Sequence, residues 1–168
     1  MALETMIRTA DFVADNAAGT DAIPYICFFG GEPMLRYEDI IVPTVGYIRR
    51  KYGYHFDLSI TTNATLIDES KAQFLHENNV GFLVSADGGR ETQNINRPTT
   101  ESRTSFDKMA EGAKHILKMR PNTQVRMTLT PERGGFLFDD LKSVHEIGFR
   151  QMAVFPDTGG NWSMESYE

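Results

Sequence analysis

The sequence predicts an α/β fold of parallel strands closed part-way into a barrel around a polar interior. Three observations point there. Short apolar runs rich in β-formers alternate with amphipathic stretches along the whole chain, an order that demands parallel strands joined by right-handed crossovers. The strands themselves alternate: Val125, Met127 and Leu129 with Arg126, Thr128 and Thr130; Leu58 and Ile60 with Ser59 and Thr61; Val84 and Ala86 with Ser85 and Asp87. Parallel strands covered on both faces would read apolar throughout, so here helices cover one face and the polar face lines a concave lumen. Finally, three successive strands end in small and polar groups, at Phe28-Phe29-Gly30-Gly31-Glu32-Pro33, Thr61-Thr62-Asn63 and Ser85-Ala86-Asp87-Gly88. Parallel α/β folds place their ligand sites at that end of the strands.

The elements follow in order. Leu3, Met6, Ile7, Ala10, Val13 and Ala17 form a helical stripe that opens the chain. Ile23–Phe29 reads as a strand, Tyr37–Tyr52 as a helix with Pro43 near its first turns, and Phe56–Thr62 as a strand. Asp68–Asn78 is a helix with Asp68 as N-cap and Phe74 and Leu75 on its buried face. Val80–Asp87 is the third strand. Asp87–Arg103 is polar, with Gly88-Gly89 and Arg97-Pro98, and reads as a long loop containing about one helical turn. Phe106, Met109, Ala110, Ala113, Ile116 and Leu117 mark the clearest helix. Gln124–Thr130 is a strand, Phe136–Ile147 a helix stopped by Gly148, Arg150–Phe155 a last strand, and the tail from Asp157 is Gly-rich and polar.

A chain of 168 residues without repeat or linker predicts one domain, residues 1–168, with a real core. A formal charge of -6 argues against a nucleic-acid or anionic-membrane surface. No apolar run approaches the roughly 20 residues that cross a bilayer, and Met1–Ala10 carries both charge signs, unlike a signal peptide. One cysteine, Cys27, excludes a disulfide framework, points to a reducing cytoplasm, and reads as a small buried hydrophobe in mid-strand. The histidines, His55, His76, His115 and His145, have no ligand spacing.

Gly30-Gly31 serves a strand-to-helix turn at positive φ, and a bare backbone there also allows a ligand to approach closely. Its exposed carbonyls and the Glu32 carboxylate suit a ligand ammonium group, and the segment lacks the Lys-Ser/Thr ending of a phosphate loop. Asn63 suits a turn, Ser85 and Asp87 suit caps, and Arg97 a solvated loop charge. Their common placement at strand ends raises a functional reading of all of them.

The set Phe28-Phe29-Gly30-Gly31-Glu32-Pro33, Thr62-Asn63-Ala64-Thr65-Leu66, Ser85-Ala86-Asp87-Gly88 through Asn96-Arg97, and Ser105-Phe106-Asp107-Lys108 resembles the radical S-adenosylmethionine superfamily. Within it the chain is most similar to enzymes with a cysteine-rich (SPASM-type) C-terminal extension, such as anaerobic sulfatase-maturating enzymes and peptide maturases. The resemblance implies a partial, TIM-like (β/α)6 barrel with S-adenosylmethionine across the carboxyl ends of its strands. It further implies that Gly30, Gly31 and Glu32 bind the methionine amino group, that Ser85 contacts the cofactor, and that Arg97 holds its carboxylate. Asp87 falls in the Ser85 segment, Asn63 lies near the cofactor, and Thr158 sits where a further contact is made.

Two departures are mild: Ala64 stands where the pattern has glycine, and Gly89 where it has proline. A third is not. Such enzymes hold a [4Fe–4S] cluster through a Cys-x3-Cys-x2-Cys loop after their first strand, and no such loop occurs here. The resemblance therefore implies the core of a larger enzyme, with the first strand and cluster loop missing and metal ligands absent. The parent would cleave S-adenosylmethionine reductively to a 5′-deoxyadenosyl radical that takes a hydrogen atom from a peptide or protein substrate, and these residues alone would be inactive. The alternatives are a non-catalytic module binding S-adenosylmethionine or a peptide, and a plain α/β barrel fragment. Without a strand before it, Ile23–Phe29 presents an open edge, which predicts self-association or disorder beside it.

Overall fold

A computed structural model describes residues 2–98 and 104–163. The end of the loop expected over Asp87–Arg103 and the last part of the tail fall outside them. Five strands, parallel where their pairing is described, as the sequence predicts, lie side by side in chain order in one sheet. The chain divides into two compact units, residues 1–62 with 73–82 and residues 63–72 with 83–168, so that α3 (Glu69–Glu77) and β3 (Val80–Ser85) each contribute to both.

In the first unit, α1 (Leu3–Ala17) buries Met6 and Ala10. β1 (Tyr25–Phe28) pairs with β2 (Asp57–Thr62), setting Ile26 beside Leu58 and Phe28 beside Ile60, all four buried. On the other face Tyr25 hydrogen-bonds Ser59 at 2.6 Å and the Cys27 thiol lies 3.8 Å from the Thr61 hydroxyl. The expected alternation is therefore real, and Cys27 is half-buried beside a polar neighbour rather than a core hydrophobe. β1 starts later than predicted, because Pro24 lacks the N–H a ladder needs and Ile23 stays exposed.

The single helix predicted over Tyr37–Tyr52 is split in two, a π turn over Tyr37–Ile41 and α2 (Val42–Tyr52), and a 3-10 turn over Pro33–Arg36 leads into it. Pro43 is the reason. It has no N–H for the carbonyl four residues back, and the chain widens so that the Val42 N–H donates to Tyr37. α2 ends at Gly53, φ 64°, where Arg49 reaches back to the Gly53, Phe56 and Asn78 carbonyls.

In the second unit, Leu83–Ser85 of β3 pairs with β4 (Gln124–Leu129), and β4 with β5 (Gln151–Pro156). Val84, Val125 and Met127 are buried, as are Met109, Ala113 and Ile116 of α5 (Phe106–Met119). Asp68 caps α3 as expected, accepting the Lys71 N–H at 2.9 Å. The loop expected after β3 is corrected: Arg90–Asn96 forms α4, about two turns, with Thr92 and Gln93 buried. Its one large apolar residue, Ile95, is exposed, so no apolar stripe announces it. A 3-10 turn over Pro131–Phe136 leads into α6 (Leu137–Ile147).

Candidate functional site

Beyond β1 the chain turns through Gly30 and Gly31 at φ 105° and 51°, values that carry a steric penalty for any side chain. A Cβ at either would meet nothing within 4 Å, so the demand is conformational and the space beside the turn is open. Glu32 then caps the following 3-10 turn, its Oε1 accepting the Met34 N–H at 3.1 Å and the Thr62 hydroxyl at 2.7 Å. The end of β2 thus braces a carboxylate that the end of β1 presents. A cavity of about 240 Å³ lies along this turn, lined by Met6, Cys27, Gly30, Glu32 and Ile40 among others.

In the second unit, Asn63 folds into an Asx turn, its Oδ1 accepting the Thr65 N–H at 3.0 Å and the Thr65 hydroxyl at 2.7 Å. Ala64 follows at φ 61°. Glycine would relieve a cost of about 1 kcal/mol at such a position. Ser85 closes β3, buried and in register with Arg126.

Asp87, also buried, is fully engaged. Its Oδ2 accepts Arg97 Nε at 2.8 Å, and its Oδ1 accepts Arg97 Nη2 at 3.0 Å and the Thr128 N–H at 3.1 Å. Its own N–H donates to Gln93 Oε1 at 2.8 Å. A bidentate pair on a buried carboxylate fixes the guanidinium plane, and Arg97 Nη1 has no hydrogen-bond partner among the described residues. Thr158 sits in the turn after β5 beside a cavity of about 280 Å³ lined by Arg126, Thr128, Phe155 and Asp157 among others.

The structure therefore joins Gly30, Gly31 and Glu32 with Thr62 in one unit, and Asp87 with Arg97 in the other. Asn63, Ser85 and Thr158 stand at the ends of their own strands without a described hydrogen bond among them. Sequence reasoning missed Gln93 and the Thr128 N–H, neither of which carries a motif. Among the described residues no cluster of His, Cys, Asp and Glu could hold a metal, and no helix is long and apolar enough to cross a membrane.

Residues 7–134 match the family model described as the radical SAM superfamily. The chain is 30% identical over 131 residues to a cysteine-type anaerobic sulfatase-maturating enzyme of Clostridium perfringens (strain 13 / Type A), covering 76% of this chain and 34% of that protein. It is 32% identical over 156 residues to the enzyme of that name from Clostridium novyi (strain NT), covering 92% and 40%. Among solved structures, native anSMEcpe with bound AdoMet and Kp18Cys peptide matches with a TM-score of 0.81 and 26% identity, over 93% of this chain and 43% of that one. Streptococcus suis SuiB bound to S-adenosylmethionine shares the fold at a TM-score of 0.67 and 17% identity, over 97% of this chain and 36% of that one. The chain thus spans about a third to two-fifths of the length of these relatives.

Proposed function

The chain belongs to the radical SAM superfamily, and from that premise we propose that it forms the cofactor-holding core of a radical S-adenosylmethionine enzyme acting on a peptide or protein. The observation that supports this most directly is the Asp87–Arg97 pair. It holds a guanidinium in one plane with Nη1 left to meet a ligand carboxylate. Within its own unit Glu32, braced by Thr62, offers a carboxylate suited to an ammonium group. Asp87 orients Arg97, while Ser85, Asn63 and Thr158 are further cofactor contacts. S-adenosylmethionine, an amino-acid zwitterion, carries both a carboxylate and an ammonium group of the kind such side chains bind.

Bound and reduced by one electron, that cofactor supplies a 5′-deoxyadenosyl radical for hydrogen abstraction. The electron source expected in this family, a [4Fe–4S] cluster, does not fit these residues: they include one cysteine, and thiolates are its ligands. These residues bind and orient, therefore, and do not cleave the cofactor unaided. A reducing compartment such as the cytoplasm suits the lone thiol. The peptide-bound state of the anSMEcpe structure supports a peptide substrate.

The test is a titration of the chain with S-adenosylmethionine followed by NMR. Arg97→Ala and Glu32→Gln should each weaken binding about tenfold or more, the loss of one charge-assisted contact. Binding that is absent in the wild type, or equal in all three proteins, overturns the reading. The single cysteine also favours a second reading, a module that binds the cofactor without turnover. Supplying the chain with a separately reconstituted cluster-bearing segment of a relative separates the two, since only an enzyme core would release 5′-deoxyadenosine.

A further inference from the structure

We propose that Asp140 is the positioning residue for Arg97, acting through the first turn of α4. Asp140 sits in the first turn of α6, buried, with both carboxylate oxygens committed to α4. Oδ1 accepts the Gly89 N–H at 2.8 Å, and Oδ2 accepts the Thr92 hydroxyl at 2.7 Å. The Thr92 oxygen in turn accepts Arg133 Nε at 2.9 Å, while Arg133 Nη1 reaches Glu91 at 3.1 Å. The Arg133 guanidinium is itself buried and stacks 3.9 Å from the Phe136 ring centroid. The entry to α4 is thus gripped at Gly89, Glu91 and Thr92 by α6 and by the 3-10 turn before it.

The grip explains Gly88-Gly89. A Cβ on Gly88 would overlap the Asp140 carboxyl group, and Gly88 lies at φ 156°. Gly89 has φ -67°, the value a proline ring imposes, yet its N–H is in use. A proline here would fix φ but could not donate. In this chain a buried carboxylate does by hydrogen bonding what a ring does covalently.

α4 is too short to hold itself: seven residues cannot offset the cost of helix nucleation. Its direction comes from its first turn, and its far end is where the effect is felt. Gln93 on its buried side receives the Asp87 N–H, and the Arg97 N–H caps the helix on the Gln93 carbonyl at 2.9 Å. Releasing Asp140 frees the helix that presents Arg97 to Asp87.

The effect on the cofactor rests on the function proposed above, whereas the effect on α4 does not, and two readouts keep them apart. In hydrogen exchange of the whole chain, Asp140→Ala should speed the Gln93 and Arg97 amides about tenfold or more while Met109 and Val125 stay protected. Asp140→Asn, which keeps an acceptor for Gly89 but loses the one for Thr92, and Thr92→Val should fall between Asp140→Ala and wild type. In the S-adenosylmethionine titration the same variants should lose affinity in the same order. Unchanged exchange at Gln93 and Arg97, or acceleration spread evenly over β4 and α5, overturns the proposal. A wild type that binds no S-adenosylmethionine overturns the proposed function, and exchange alone then decides the role of Asp140.

Discussion

At Asp11 three donors converge on one carboxylate oxygen: the Tyr47 and Tyr52 hydroxyls, each at 2.7 Å, and Lys51 Nζ at 3.0 Å. These hydrogen bonds, Tyr47 first, hold the carboxyl down to about 2 from its ordinary 3.8. A folded value below the unfolded one means a contribution fully present above pH 3.8 and lost as pH falls through about 2. Urea titrations stepped through that window should show wild type losing stability faster than Asp11→Asn; parallel curves would remove Asp11 from the account. Nothing in the sequence marks this cluster, because its members lie 36 to 41 positions from Asp11. The Gly30-Gly31-Glu32 turn is the opposite case. Its positive φ values and its carboxylate are written in three adjacent residues, so local chemistry sufficed to find them.

Among the elements, α5 and α4 show what decides legibility. α5 carries an apolar stripe and was readable from its spacing. α4 has none, and its stability comes from Asp140, Arg133 and Asn94, whose Oδ1 accepts the Ser105 and Phe106 N–H groups at 2.8 and 3.0 Å. Hydrogen bonds between distant segments leave no periodicity, so α4 read as loop. The π turn before α2 escaped for a related reason: Pro43 was visible, but the way the chain absorbs its missing N–H was not. Gly112 makes the packing of α5 testable. A Cβ there would overlap the Ala64 carbonyl oxygen. On an isolated helix Gly→Ala would stabilise by about 0.5–1 kcal/mol. Here the overlap wins, and Gly112→Ala should destabilise by about 2 to 3 kcal/mol in chemical denaturation. A gain in stability would show that Ala64 moves aside freely.

For the whole molecule, the sheet order leaves β1 at an edge, with Ile23, Tyr25 and Phe29 exposed along it. Unpaired edge strands with apolar side chains template further pairing. Sedimentation velocity should therefore show a species that grows with concentration, and Ile23→Lys should suppress it; a wild type that stays monomeric across the range would count against the edge as a contact. Cys27 stands on that same strand, half-buried and lining the cavity beside Gly30 and Glu32. With one thiol per chain, a maleimide fluorophore or nitroxide can be attached at a single defined place without mutagenesis. Its emission or spectral line shape then reports directly on whatever enters the space by the glycine turn.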